Sequence, residues 1–360
     1  MMVFSQLKTL KTTVLLKRQG YDSFIDFLKG YSIVCVIINH CMPTDIMDYS
    51  AFFFWGVSAV PIFLIIQVFH AYKGGINNIK ANYTKIWKRI AWPFLLAELI
   101  IFTALAIRNQ HFTLHELASD LSAMIQSGGY GPGAYYPWIY LQFALLLPLV
   151  SRLLTLVGTY SNTCIPKRNQ SMILCLSFIV VSQLAETACS FFLLPPLAYR
   201  LLFIRYIFIF YLGFLLADRG FHLNTLTLCF ALFCLAFSAY INYSEDDFSP
   251  LFYPFVNKCC HWFCYIFIAY LLLFVLKVLY QNISSDGIIM KYIRAAGKCS
   301  YDIFLFQMVY FVIVDDYVDG LLENHIGRYA IYATLKMAIP VVICTIPVII
   351  MKKYLANSKK

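Results

Sequence analysis

Charge is the scarcest property of this sequence. Asp, Glu, Lys and Arg make up 13% of its 360 residues, about half the share in a soluble domain, whereas 61% are hydrophobic. That balance excludes an ordinary soluble enzyme and points to a polytopic membrane protein. The net charge of +10 does not imply a nucleic-acid partner, because the basic residues fall in clusters between apolar runs and not on one polar face or tail. There is no phosphate-cradling glycine motif, no nucleophile elbow and no cysteine–histidine metal spacing, so neither a serine hydrolase nor a metalloenzyme is supported and no metal is expected. His111 and His115 stand four apart, but no further ligand set accompanies them. No internal repeat appears, which argues against an inverted-repeat transporter. The basic first residues (Lys8, Lys11, Lys17, Arg18) lead into a hydrophobic segment without a small-residue cleavage pattern, and no cleaved signal peptide is expected. Twelve cysteines are present, but most, including Cys35, Cys175, Cys229, Cys234 and Cys344, fall inside apolar runs and read as small packing residues. Cys259 and Cys260 sit in a loop and have no assigned role.

What fills the chain instead is a series of apolar runs, each long enough for a bilayer. Ten candidate spans lie at roughly 24–43, 51–71, 90–108, 138–158, 171–194, 200–217, 222–242, 262–280, 299–316 and 329–351. The expected fold is therefore all-α, a polytopic helix bundle of about ten transmembrane helices. A single integral domain, residues 19–351, follows a polar segment 1–18 and precedes a basic tail 352–360. Ten spans put both termini on one side. If that side is cytoplasmic, the inner segments hold the N-terminal lysines, then Lys73, Lys80, Lys85, Lys88 and Arg89, then Lys167, Arg168 and Arg219. They continue with Lys291, Arg294 and Lys298 and finish with Lys352, Lys353, Lys359 and Lys360. The opposite loops hold Asp45 and Asp48, Glu116 and Asp120, the run Glu245, Asp246 and Asp247, and then Asp319 and Glu323. This alternation obeys the positive-inside rule and supports cytoplasmic termini.

The first span carries Lys29 near its start and His40 near its end. An ionisable residue inside a span is costly and marks a site candidate. Eleven residues separate the two, about 16 Å of helix, so one can reach a water face while the other lies deep. Glu98 and Arg205 also fall inside spans and should face the interior and find partners. Gln142 and Gln307 are interior amides that also serve as helix contacts. The other histidines, His70, His222, His261 and His325, lie near span ends. The outer loop from Gln110 to Trp138 contains Ser-Gly-Gly-Tyr-Gly-Pro-Gly at 127–133 and is long for a structureless connection. With Tyr130, Tyr135, Tyr136 and Trp138 it suits a lip for a polar ligand, since aromatic rings stack on sugars; an aromatic belt at the membrane surface is the other reading.

Several segments together resemble the acyltransferase-3 family of membrane-bound bacterial O-acyltransferases. Ile25-Asp-Phe-Leu-Lys29-Gly30 followed by His40 looks like the family's first helix, a basic residue, ten residues, then His. Tyr83 to Pro93 is similar to its basic cytoplasmic segment leading into the third helix. Tyr136-Pro-Trp138 to Phe143 is like its Trp-led fourth helix, Arg205-Tyr206 running to Gly213 like its Arg-to-Gly helix, and Gly297-Lys-Cys-Ser-Tyr301 to Leu305 close to its late Ser-Tyr element. The matches keep family order. Two departures stand: the family's Arg-x-x-Arg pair is here Lys85, Lys88 and Arg89, and members often carry His where this chain has Gln307.

The resemblance implies an acyl donor, usually a coenzyme A thioester such as acetyl-CoA, reaching the protein from the cytoplasm, and a hydroxyl acceptor on a glycan or glycolipid presented from the other side. The donor is a substrate, and no permanently bound cofactor is implied. Under this reading Lys85, Lys88 and Arg89 bind the donor together with Lys29, which is also assigned with His40 to catalysis, with topology-setting lysines as the alternative. His40 is the general base, or else a histidine capped by a backbone carbonyl in the bundle. Glu98 and Arg205 polarise His40 or the acyl oxygen, or form a structural ion pair. Gln142, Tyr136 and Trp138 are supporting residues. The implied setting is the bacterial inner membrane, with O-acetylation in polysaccharide biosynthesis as the activity. A flippase for a glycan or lipid-linked precursor fits the span count equally well, and a catalytically altered member with a structural role in an assembly complex is a third reading.

Overall fold

The computed structural model describes residues 23–74, 79–161, 177–182, 184–185, 188–189, 191–192, 201–219, 225–243, 262–284 and 286–358. Within these residues the protein is all helix and contains no strand. Among the described residues three helices are long and apolar enough to cross a membrane: α1 (Ser23–Cys41), the continuous rod Tyr83–Asn109 and the last helix, Tyr329–Asn357. Shorter apolar helices lie between them.

The chain proceeds from α1 through two short helices, α2 (Thr44–Tyr49) and α3 (Phe52–Trp55), to α4 (Ala59–Gly74). The span expected at 51–71 is thus broken at residues 56–58, between α3 and α4, and Ala51 just before α3 takes a left-handed conformation. Helix α5 (Ile79–Ile86) runs through a π-helical turn, Trp87–Ala91, into α6 (Trp92–Asn109). Next come α7 (Leu114–Ser127), α8 (Tyr135–Ser161) and a 3-10 turn, Phe203–Tyr206. Helices α9 (Phe208–Arg219), α10 (Thr225–Tyr243) and α11 (Trp262–Asn282) follow, then α12 (Ile288–Lys298), α13 (Ser300–Ile313), α14 (Asp315–His325) and α15 (Tyr329–Asn357). The run expected at 200–217 resolves into the 3-10 turn and the 12-residue α9, about 18 Å of helix, which alone is shorter than a bilayer core. The N-terminal lysines, Lys167, Arg168, Glu245, Asp246, Asp247, Cys259, Cys260, Lys359 and Lys360 lie outside the described residues, as do the side chains of Lys73, Lys80 and Arg219.

The loop from Gln110 to Trp138 is not structureless, which differs from the expectation above; half of it is α7. Thr113 and Glu116 form a capping box, Glu116 N donating to Thr113 Oγ1 at 3.3 Å and Thr113 N to Glu116 Oε2 at 3.0 Å. The Thr-x-x-Glu spacing is a helix-start signal legible in the sequence.

Exposed residues confirm the setting of the bundle. On α6 the outward face is Trp92, Leu95, Leu99, Ile100 and Ile107, while Phe94, Ala97, Glu98 and Ile101 point inward. A helix apolar on its outer face as well as its inner one belongs in lipid. Inside, α9 packs along α4, α10 along α11, and α13 is sandwiched by α6 and α15. Two glycines let α1 (Ser23–Cys41) and α12 (Ile288–Lys298) cross closely. A Cβ on Gly30 of α1 would lie 1.8 Å from the Ile293 carbonyl oxygen, and one on Gly297 of α12 would lie 1.7 Å from that of Asp26. Backbone thus meets backbone, which only small residues permit. The start of α1 is held further by Ser23, whose hydroxyl shares a hydrogen bond of 2.8 Å with Tyr280 Oη of α11.

Candidate functional site

A cavity of about 600 Å³ opens at the end of the bundle where α1 begins and α4 ends. Its cationic part is built by three elements. The Gly30–Gly297 crossing fixes α1 so that Lys29 lines the cavity, α4 contributes His70, and the rod beginning at Tyr83 contributes Lys85 and Arg89. Tyr83, Tyr136, Tyr140 and Tyr301 form much of the wall, and Val36, Val60, Phe63, Leu147 and Phe304 the apolar part. Tyr136 is a hub within that wall, its ring 5.5 Å from Phe304 and 6.0 Å from Phe63.

The π-helical turn decides which cations face inward. In a π turn the hydrogen bonds run i→i+5, a wider repeat than in an α-helix, so residues four apart align better than residues three apart. All three cations are exposed, but Lys85 and Arg89 line the cavity whereas Lys88 lies outside its wall. The pair suggested by family spacing was Lys85 and Lys88; the cavity instead has the i, i+4 pair. A hydrogen bond from Tyr301 Oη to the Ile90 carbonyl, 2.8 Å, ties the π turn to α13. Within this wall Ser300 and Tyr301, quoted above only as part of a motif, are lining residues.

His40 stands apart from the cavity wall. It occupies the same face of α1 as Lys29 and Val36, since eleven residues at 100° each return almost to the starting direction, and it lies about one turn, ~6 Å, beyond Val36. Its side chain is exposed, and its ring makes an edge contact with Phe311 at 5.7 Å. Phe304 and Phe311 are seven apart on α13, so one stripe of α13 follows the stripe of α1 from the cavity to His40.

The remaining nominated residues hold loops. Glu98, 3% exposed, accepts a hydrogen bond from Tyr130 N at 2.8 Å through Oε2. Trp138 Nε1 donates to the Gly128 carbonyl at 2.7 Å, and Gln307 Nε2 to that of Pro132 at 3.2 Å. All three therefore grip the glycine-rich segment after α7. Gly129 has φ +122°, and a Cβ there would sit 2.4 Å from Glu98 Oε1, so both conformation and space demand glycine. Gln142 clamps a different segment, donating to the Leu201 carbonyl at 2.5 Å and accepting from Phe203 N at 3.1 Å. That segment leads into the 3-10 turn bearing Arg205, which is buried and outside the cavity wall. His111 pairs with Asp120, Nδ1 to Oδ2 at 2.8 Å, and not with His115.

Sequence reasoning missed Gln67 and set His70 aside as an interfacial histidine, yet both line the cavity. The signal was available: Val60, Phe63, Gln67 and His70 form one helical stripe, and Gln67 is the polar residue within an apolar run.

The sequence pattern of a family described as an acyltransferase domain matches residues 22–351, nearly the whole chain. Neither a curated protein nor a solved structure matches.

Proposed function

The chain belongs to the acyltransferase-3 family, and from that premise we propose that it is a membrane O-acyltransferase of the bacterial inner membrane, in the first instance an O-acetyltransferase. It moves an acyl group from a cytoplasmic acyl-CoA to a hydroxyl of a surface polysaccharide or glycolipid precursor. The reading takes the bundle as about ten spans with both termini cytoplasmic, so that the cationic cavity opens to the donor's side.

One observation carries the proposal: Lys29, Lys85 and Arg89 converge on a cavity that turns apolar inward, on the same face of α1 that leads to His40. Cations at an open mouth suit the phosphates of a coenzyme A donor through charge-assisted hydrogen bonds. Lys88, beside the mouth, adds long-range attraction only. The apolar part takes the donor's arm and acyl group and excludes water from the thioester. His40 accepts the proton of the acceptor hydroxyl as that oxygen attacks the acyl carbonyl. The carbon–oxygen bond forms, the carbon–sulfur bond breaks, and the thiolate leaves and takes up a proton. General-base assistance of this kind is worth about 10²–10⁴-fold. The glycine-rich segment gripped by Glu98, Trp138 and Gln307 forms the acceptor's side of the site.

The test is transfer of label from acetyl-CoA to a glycan fraction by membranes containing the wild-type chain or His40→Ala. Loss of transfer in a correctly inserted variant supports the base. Near-normal transfer by His40→Ala removes it. A wild-type protein that neither transfers label nor is stabilised by coenzyme A returns the flippase reading.

A further inference from the structure

Between α11 and α13 lies a short helix that the cavity does not use. Five residues separate the end of α11 at Asn282 from the start of α12 at Ile288, and Cys299 alone separates α12 from α13. Both neighbours are apolar helices of the bundle. Five connecting residues reach no more than about 20 Å, so α12 stays close to the bundle. The Gly30–Gly297 crossing holds it beside the start of α1, and Tyr292 Oη shares a hydrogen bond with Thr345 Oγ1 of α15.

The residues of α12 sort around its axis by chemistry. At 100° per residue, Lys291, Arg294 and Lys298 fall within a stripe about 60° wide and about 10 Å long. The buried residues, Met290, Ala296 and Gly297, occupy a different arc. Ile288 follows about 60° beyond Lys291, on the side away from them. Lys291 and Lys298 are exposed, Arg294 is half-buried, and at the start of the helix Ile288 and Ile289 are 87% and 75% exposed. One acid, Asp286, accompanies the three cations between residues 283 and 299. Its Oδ1 stands 4.0 Å from Lys291 Nζ with both side chains open to water, a pair that solvent largely screens.

Exposed cations alone suit any anion in water, and exposed isoleucines alone suit any apolar partner. Together, on a helix tethered at both ends to apolar helices, they match the boundary of a bilayer, where phosphate and acyl chain lie a few ångströms apart. A helix with a basic stripe and an apolar flank settles in that boundary, and its cations favour lipids of net negative charge.

We propose that α12 is an interfacial helix that binds anionic phospholipid: Lys291, Arg294 and Lys298 hold the headgroup phosphate, and Ile288 and Ile289 enter the acyl region. Lipid held there braces the helix whose Gly297 seats the start of α1.

The experiment titrates full-length protein in detergent with phosphatidylglycerol and with phosphatidylcholine of the same chains, and counts bound lipid by native mass spectrometry. The wild type should bind phosphatidylglycerol more tightly. Lys291→Gln and Lys298→Gln should each weaken that binding roughly fivefold, and the double variant roughly twenty-five-fold, with phosphatidylcholine unchanged. Equal affinity of the wild type for the two lipids, or a double variant that binds phosphatidylglycerol like wild type, overturns the proposal. So does glycerol 3-phosphate binding as tightly as the lipid, which would make the stripe a site for soluble anions. Loss of an oligomer in the double variant with lipid binding intact would assign the surface to a second copy of the chain and likewise overturn it. A measurement on the wild type alone is independent of how the variants fold. Phosphatidylglycerol carrying a photoreactive group beside its acyl ester is irradiated with the protein in nanodiscs. Adducts should form on 286–298 in excess of those from the phosphatidylcholine analogue, and equal labelling by the two, or none on this segment, refutes the assignment.

Discussion

The crossing of α1 and α12 offers the sharpest mutational test, because it links a single methyl group to the placement of Lys29. In Gly297→Ala the new Cβ would start 1.7 Å from the Asp26 carbonyl oxygen, 2.6 Å from the carbonyl carbon and 2.9 Å from Gly30 N. Ordinary contacts begin at 3.4 Å, so the two helix backbones must part by about 1.7 Å. None of these neighbours is a flexible side chain that can swing away. Overpacking in a core generally costs about 1–3 kcal/mol, and a backbone-to-backbone clash belongs at the top of that range or above it. The functional cost is separate. Lys29 and Val36 are carried by α1, and a misplacement of ~1 Å at a reacting site can cost on the order of 10²-fold in rate. The assay pairs detergent-solubilised thermal unfolding with acyl transfer in membranes, for Gly297→Ala and Gly30→Ala. Both variants should unfold at lower temperature, and the fraction that inserts and folds should transfer at least tenfold more slowly. A melting temperature and a transfer rate equal to wild type would mean that the helices do not meet at these glycines, and the derivation of Lys29's position from this crossing would fail with it.

Arg89→Ala should raise the KM for the acyl donor roughly tenfold, the lower end for a charge-assisted hydrogen bond because the mouth is open to solvent. Lys88→Ala, outside the wall, should change it less than threefold; the reverse order would reject the i, i+4 reading of the π turn. Glu98→Ala leaves Tyr130 N without its acceptor, at a cost of about 1–3 kcal/mol. Limited proteolysis of the detergent-solubilised protein should then cut within 110–134 faster, whereas Glu98→Gln, which keeps an acceptor oxygen, should resist. The hydrogen bond with Asp120 raises the pKa of His111 above the ordinary imidazole value. Its contribution is therefore fully present below the pH at which an unfolded-chain histidine titrates, about 6.5, and is lost as pH rises through the raised value. Proteolysis near Asp120 should accelerate across that window in the wild type and be flat in His111→Ala; an identical pH profile in both would rule the pair out as the cause.

Much of the site was legible because membranes tax charge heavily. Lys29 and Arg89 stood out as cations at span boundaries, and both line the cavity. The cost of buried polar groups nominated Glu98 and Gln142, and the aromatic loop and the family resemblance nominated Trp138, but neither could distinguish a group facing a ligand from one holding a loop, since both satisfy a buried hydrogen bond. Glu98 and Trp138 grip the glycine-rich segment, and Gln142 grips the backbone at 201–203. Gln67 escaped notice because a neutral amide in an apolar run is cheap enough to be a mere helix contact. The helix α7 escaped because glycines dominated the reading of its loop, although Thr113 and Glu116 announced it.

The sequence by itself determined the helical class, the membrane setting and the family, because each rests on composition and on the spacing of residues along one chain. The length of an apolar run, the sign of the charges around it and the distance from Lys29 to His40 on one helix are properties of neighbours in sequence. Only the tertiary structure decided which cations share a cavity, since that depends on the π turn that brings Arg89 and not Lys88 to the wall, and on two glycines 267 positions apart that let α1 touch α12. It also decided that His40 lies beyond the cavity wall while Gln67 lies within it. Those are contacts between helices, and they are set by packing, which no single segment encodes.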